Sequence, residues 1–303
     1  EEAPRRVAGV PAAAARPALA ALSARSPQAL RDSARALSAA LSAAAAPSLA
    51  DACHTLARRS ASEHRAVVVA DDRAAMALAL ARVGEGEPAA AQGRAGAAPG
   101  TVVFVVPGQG AQFAGMAREL MAREPAFRAA LQACDAAARA WLDVSLVAQL
   151  EAEPGTPAWQ LDRIDVVQPV LVAIAIAYPA LWREIGVEPG LVIGHSMGEV
   201  GAACIAGVLD IEQAMRIVCR RSALMRRTSG QGAMAMVELS FDDARQRLGD
   251  RADRLSVAVS NSPRSSVVSG EPAALRQLVD DLQADGVFCR HVKVDVASHS
   301  PQM

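Results

Sequence analysis

The sequence predicts a mixed α/β protein of more than one unit, on three observations. At 303 residues the chain is longer than a typical single-core domain. Two continuous apolar runs, TVVFVVPG (101–108) and GLVIG (190–194), are each followed by helical periodicity, the pattern of parallel strands in a doubly wound core. Beyond residue 230 the order becomes strand, helix, strand, strand, helix, strand, which is the ferredoxin-like arrangement.

Taken in order, residues 1 to about 18 are rich in Pro, Ala and Arg without periodicity and read as an extended linker. SPQALRDSARALSAALSAA and SLADACHTLARRS are amphipathic helices opened by a capping Ser or a nearby Pro. RAVVVA (65–70) is a short buried strand, and DRAAMALALARV a further helix. A small α/β unit is therefore assigned to 1–86, and the Gly/Pro/Ala-rich stretch 87–100 to a linker without structure of its own. In the main core, 101–229, helices are predicted near 111–122, 125–140, 166–186, 198–207 and 210–227. In the module at 230–296, AMAMVEL, LSVAVSNS, SSVVSG and CRHVKVDV are strands, DDARQRLG and PAALRQLVDDLQADG are helices, and 297–303 follows as a separate segment. Its two crossovers place both helices on one face of a four-stranded sheet.

Composition narrows the function classes. With 31 basic and 32 acidic residues, nothing in the charge balance points to nucleic acid or an anionic membrane. The five cysteines are scattered, with no C-x-x-C pair, and read as reduced small hydrophobes. No signal-peptide pattern opens the chain. The longest apolar stretch, Val170 to Leu181, is too short to span a bilayer and contains Pro179. A soluble, cytoplasmic protein is expected.

The chemistry concentrates at LVIGHSMGEVGAAC (191–204). Gly-x-Ser-x-Gly between a buried strand and a helix is a nucleophile elbow. The tight turn demands Gly194 and Gly198 and lifts the Ser196 hydroxyl above the sheet, and the Met197 N–H at the helix start points to where an oxyanion would form. The bland alternative is a structural turn. Ser196 needs a base. His195 is adjacent, but neighbouring side chains at a strand end point to opposite sides, and it is expected to pack or hydrogen-bond beneath the elbow. His54 and His64 lie in the first unit, and His291 sits within a strand. His299, in VDVASHS, is left as the candidate base. No acid is placed as a third member, and Asp295 is read as ending the strand. In VPGQGAQ, Gly108-Gln109-Gly110 form a glycine-lined loop at a strand's C-terminal end, where open α/β sheets bind ligands. CRRSALM carries Arg220 and Arg221; either pair member can be a solvated side chain or fork onto a substrate carboxylate.

Together, VFVVPGQGAQ, QPVLVAIAIAYPALWREIGVEPGLVIGHSMGEV, CRRSALM, GQGAMAMVEL and VDVASHSPQM resemble the acyltransferase domain of a modular type I polyketide synthase. Residues 1 to about 100 resemble the linker domain that joins ketosynthase to acyltransferase. The resemblance implies a hydrolase-like α/β core with a ferredoxin-like subdomain. It also implies that Ser196 is the acyl-accepting nucleophile and His299 its base, with Gln109 and Met197 as oxyanion hole. Arg221 would bind the extender carboxylate, and Gln168 would line the pocket. The acyl donor would be a coenzyme A thioester, malonyl-CoA or methylmalonyl-CoA, with no permanently bound cofactor. The acceptor would be the phosphopantetheine thiol of an acyl carrier protein, beside an adjacent ketosynthase domain. The family's domain continues beyond the point where this sequence stops, so the core is expected to be incomplete. Ser298, small where malonyl-selective relatives carry Phe, favours methylmalonyl, whereas Met197 is closer to the malonyl pattern. The rival classes are a serine esterase or thioesterase, and a non-catalytic carrier-protein docking module.

Overall fold

The computed structural model describes residues 17–89, 91–96 and 100–303, so most of the expected N-terminal linker lies outside the described residues. The chain forms two compact units, 1–100 and 101–303.

The first unit is a three-stranded antiparallel sheet packed by helices. Its elements are β1 (Ala18–Ala24), α1 (Pro27–Ser42), α2 (Leu49–Ala57), β2 (His64–Ala70), α3 (Arg73–Glu85) and β3 (Ala91–Arg94), in sheet order β1-β2-β3. Ser26, Ser48 and Asp72 cap the three helices through their side chains. Leu22, Leu30, Leu41, Val68, Met76 and Leu80 make the core. Two strands go beyond the sequence reading. The β1 segment ALAALSA alternates small residues, so its period is faint. The β3 segment falls in the stretch taken as structureless, and all four of its residues are exposed. Backbone pairing to β2 and an Arg94–Glu63 ion pair of 2.7 Å hold it, so no hydrophobic pattern marks it.

The second unit opens with β4 (Val103–Val106), α4 (Arg118–Arg123), α5 (Pro125–Ala138), α6 (Leu146–Glu151) and α7 (Ile164–Glu184). It continues with β5 (Leu191–Gly194), α8 (Gly198–Ile205) and α9 (Ile211–Arg226). The helix expected from 111 begins only at Arg118, because Gly115 and Ala117 take left-handed φ of 80° and 64°, which interrupts the helical ladder. Phe127, Leu131, Val166, Val170, Ala173, Ala177, Met215 and Val218 build a core from α5, α7 and α9. Helix α7 is longer than the apolar run within it. It is long and apolar enough to cross a membrane by composition, yet 67% of that window is buried in the protein. It is a core helix. Cys134 and Cys219 lie in the same core, where burial pushes both thiols up to about 12, so neither is a nucleophile near neutral pH.

Strands β4 and β5 pair in parallel, with Val103 opposite Leu191 and Val105 opposite Ile193. These four side chains share one face and are 42%, 51%, 68% and 49% exposed. The sequence predicts strands buried on both faces; among the described residues one face is covered and the other is open.

The remaining module comprises β6 (Ala233–Val237), α10 (Phe241–Leu248), β7 (Leu255–Ser262), β8 (Ser265–Gly270), α11 (Pro272–Ala284) and β9 (Cys289–His291). Its sheet runs β7-β8-β6-β9, antiparallel throughout, the ferredoxin-like order. Ala244 and Leu248 of α10 and Leu275, Leu278 and Leu282 of α11 share one core with Ala235, Val237 and Val268, so both helices cover the same sheet face. The last strand is shorter than predicted. After one further bond, Val292 N–H to the Met234 carbonyl at 2.9 Å, the chain turns away toward the serine.

Candidate active site

Ser196 sits between β5 and α8 with φ of 55°, a left-handed conformation that strains a non-glycine residue. The strain persists because the neighbouring backbone is locked. A Cβ on Gly194 would lie 2.6 Å from the Glu199 nitrogen, and one on Gly198 would lie 2.5 Å from the Pro107 carbonyl oxygen. Both positions therefore require glycine, for close approach of β4, β5 and α8. The hydroxyl that this corner presents meets His299, with Ser196 Oγ 2.8 Å from Nε2.

A bridge from the small module delivers His299. Asp295 accepts from Ser229 Oγ at 2.6 Å, and its carbonyl accepts from the Gly230 N–H at 2.8 Å. Asp295 thus closes the loop joining α9 to β6 through its side chain and its carbonyl. Val296 and Ala297 are fully buried. Val296 packs with Ile164 of α7 and Met225 of α9, and Ala297 lies so close to Gly232 that a Cβ there would fall 2.7 Å from its own. His299 then adopts φ of 59°. Sequence offers His299 as a candidate by elimination; this anchoring is invisible in it.

Burial lowers the His299 pKa below its usual value, and the Arg221 and His195 charges push the same way against an opposing contribution from Glu199. The ring is therefore neutral at pH 7 and able to accept a proton. His195 corrects an expectation. It is exposed rather than packed, with its backbone N–H on the Val106 carbonyl at 3.0 Å and its ring beside Gly108.

The glycine loop, α7 and α9 meet in a hydrogen-bonded line. Arg221 Nη1 donates to Gln168 Oε1 at 2.7 Å, and Gln168 Nε2 donates to Gln109 Oε1 at 3.1 Å. Gln168 is 4% exposed and is a polar residue flanked on both sides by apolar ones, Val166 and Val167 before it and Pro169 and Val170 after, a signal that sequence reading can use. The Arg pair is also resolved. Arg220 is exposed and stacks 5.5 Å from the Trp141 ring centroid, whereas Arg221 turns inward, where burial lowers its pKa. Among the described residues no carboxylate pairs with Arg221, whose side-chain partner is Gln168. Met197 is buried and precedes α8; among the described residues its N–H and that of Gln109 have no acceptor. Gly108, next to Gln109, approaches Ser196, since a Cβ on it would lie 3.5 Å from the Ser196 Cβ. Ser298 is half-buried, one residue before His299. Chemically, the arrangement unites a hydroxyl on a strained backbone corner, a neutral imidazole, free backbone donors and a half-buried cation.

Comparison with known proteins identifies the family. The acyl transferase domain family matches residues 103–303, and a CurL-like polyketide synthase C-terminal family matches 18–80. Polyketide synthase GfsB of Streptomyces halstedii is 45% identical over 287 residues, covering 92% of this chain and 5% of that synthase; the chain spans only a small part of such relatives. The acyltransferase domain from module 8 of the salinomycin polyketide synthase superposes with a TM-score of 0.84 at 40% identity, covering 94% of this chain and 68% of that one. The acyltransferase domain of SpnD, solved in complex with 2-(pent-4-yn-1-yl)malonyl, gives a TM-score of 0.83 at 31% identity, covering 96% and 67%.

Proposed function

The chain belongs to the acyl transferase domain family of polyketide synthases, and from that premise we propose that it moves a carboxylated extender unit from coenzyme A, through Ser196, to the phosphopantetheine thiol of an acyl carrier protein. The observation that carries the reading is the 2.8 Å contact between Ser196 Oγ and His299 Nε2, beside a half-buried Arg221 held by Gln168. His299 Nε2 takes the Ser196 proton as Oγ attacks the thioester carbonyl carbon. The developing oxyanion is met by the N–H groups of Met197 and Gln109. The C–S bond breaks, and the coenzyme A sulfur leaves with the proton from His299. In the second half the carrier thiol gives its proton to His299 and attacks the ester carbonyl, and Ser196 departs reprotonated. No bound cofactor takes part; the phosphopantetheine belongs to the partner.

Arg221, held by Gln168, receives the free carboxylate in a forked pair of charge-assisted hydrogen bonds. That contact orders the acyl-enzyme while a thiol, rather than water, arrives. The malonyl derivative seen with SpnD supports an acyl group that bears both a carboxyl and an α-substituent. Methylmalonyl is favoured over malonyl because Ser298 is small beside His299. The neighbouring ketosynthase is proposed as a partner of the first unit, in keeping with its polyketide synthase match.

The test is intact mass after brief incubation with equal malonyl-CoA and methylmalonyl-CoA. The expected adduct is methylmalonyl, lost entirely in Ser196→Ala. Ser298→Phe should shift preference toward malonyl roughly 10- to 200-fold, the range one methyl group allows. An adduct that persists in Ser196→Ala sinks the serine assignment, and an unchanged ratio in Ser298→Phe removes Ser298 from selectivity.

A further inference from the structure

A buried carboxylate one turn from Gln168 takes no part in the chemistry described above. Asp165, in the first turn of α7, is 6% exposed. It accepts from Arg163 Nε at 3.2 Å and Nη2 at 2.7 Å, and from Arg226 Nη1 at 3.0 Å. Burial opposes its ionisation, but the Arg163 and Arg226 guanidiniums outweigh burial and hold its pKa below the usual carboxylate value. Arg163 is further engaged by Asp143 at 3.6 Å and by the Gln160 side-chain oxygen.

The cluster joins the same two helices as the Arg221–Gln168 bond. On α7, Asp165 and Gln168 are three residues apart and so occupy adjoining positions. On α9, Arg221 and Arg226 reach them in reverse order, 226 to 165 and 221 to 168, as two antiparallel helices require. Beside the ion cluster, Ile164 and Met225, the neighbours of Asp165 and Arg226 in sequence, pack with Val296, and Val296 begins the segment that ends in His299. An ion cluster around a buried carboxylate is a poor source of net stability compared with apolar packing, but its fixed, directional bonds define register. We propose that the Arg163–Asp165–Arg226 cluster is a positioning device that fixes α9 against the first turn of α7 and so aims Arg221 at the substrate carboxylate. This inference rests on the reading of Arg221 given above.

The experiment is a double-mutant cycle in the protein, with kcat/KM for acyl transfer measured using malonyl-CoA and acetyl-CoA. Asp165→Asn keeps the side chain's volume and removes its charge. It should lower malonyl transfer about tenfold, as a misaimed positioning group does, and leave acetyl transfer within about twofold. In an Arg221→Ala background, Asp165→Asn should add no further loss. Arg226→Gln, which leaves the Arg163–Asp165 pair intact, should show the same selective loss at smaller size, and carries the test if Asp165→Asn does not fold. Equal losses for both substrates, no loss, or full additivity with Arg221→Ala would overturn the proposal. If Arg221→Ala itself shows no carboxylate-selective loss, the reading of Arg221 fails first, and that arm of the cycle identifies it.

Discussion

The elbow and the Arg221–Gln168–Gln109 line are built on opposite principles. The elbow is local: Gly194, Ser196 and Gly198 lie within five residues, and their geometry follows from how closely two strands and a helix approach. The line is assembled from the β4 loop, α7 and α9, with Gln109 and Arg221 far apart in sequence. A local device fails when its backbone is crowded. An assembled one fails when the helices that carry it slip, or when one member is removed.

Crowding the elbow should have the largest effect. Gly198→Ala forces a methyl group against the Val106 and Pro107 carbonyls, an overpacking that costs about 1–3 kcal/mol. The displaced Ser196 should lose at least about a hundredfold in acylation rate. The checks are thermal denaturation and timed intact mass; a Gly198→Ala protein acylating at the normal rate would show that the corner tolerates crowding.

Next in size is a coupling between the two regions. The charge of Arg221 helps to depress the His299 pKa, and the neutral imidazole is the active form. Acylation by acetyl-CoA should therefore be lost, as pH falls, only below the ordinary imidazole value near 6.5. Arg221→Ala removes a lowering influence, so the acid limb should move upward. A pH–rate profile with acetyl-CoA reads this free of any carboxylate contact, and an unmoved limb would uncouple the two groups.

Smallest is the outward neighbour. Arg220→Ala removes an exposed cation–π contact with Trp141, worth about 0.5–1 kcal/mol. Stability should fall slightly while acyl transfer stays unchanged for both malonyl-CoA and acetyl-CoA. A selective loss with malonyl-CoA would instead move the carboxylate site to Arg220.

The same contrast explains what could be read from sequence. The elbow and the ferredoxin-like order were legible because each is written in contiguous residues. Strands β1 and β3 were not, since alanine alternation and four exposed residues leave no hydrophobic period. The open face of β4 and β5 was likewise unreadable, because an apolar run does not say what covers it. Which of Arg220 and Arg221 faces inward depends on the rotation of α9 against α7, and adjacent helical residues carry no mark of that phase. That His195 is exposed rather than packed is not readable either, because strand alternation does not carry into a turn whose Ser196 is left-handed.

Carboxylate selection by Arg221 is the central claim, and a substrate comparison tests it most directly. Initial rates of acylation are measured with malonyl-CoA, methylmalonyl-CoA and acetyl-CoA for the unaltered protein, Arg221→Ala and Arg221→Lys. Each charge-assisted hydrogen bond contributes about 1.5–3 kcal/mol. Arg221→Ala should therefore lower both carboxyacyl rates by roughly two orders of magnitude or more, with Arg221→Lys restoring only part. Acetyl transfer should stay level or rise, since a half-buried cation without a carboxylate partner has been removed. A uniform fall across all three substrates would contradict the account and leave Arg221 a structural residue.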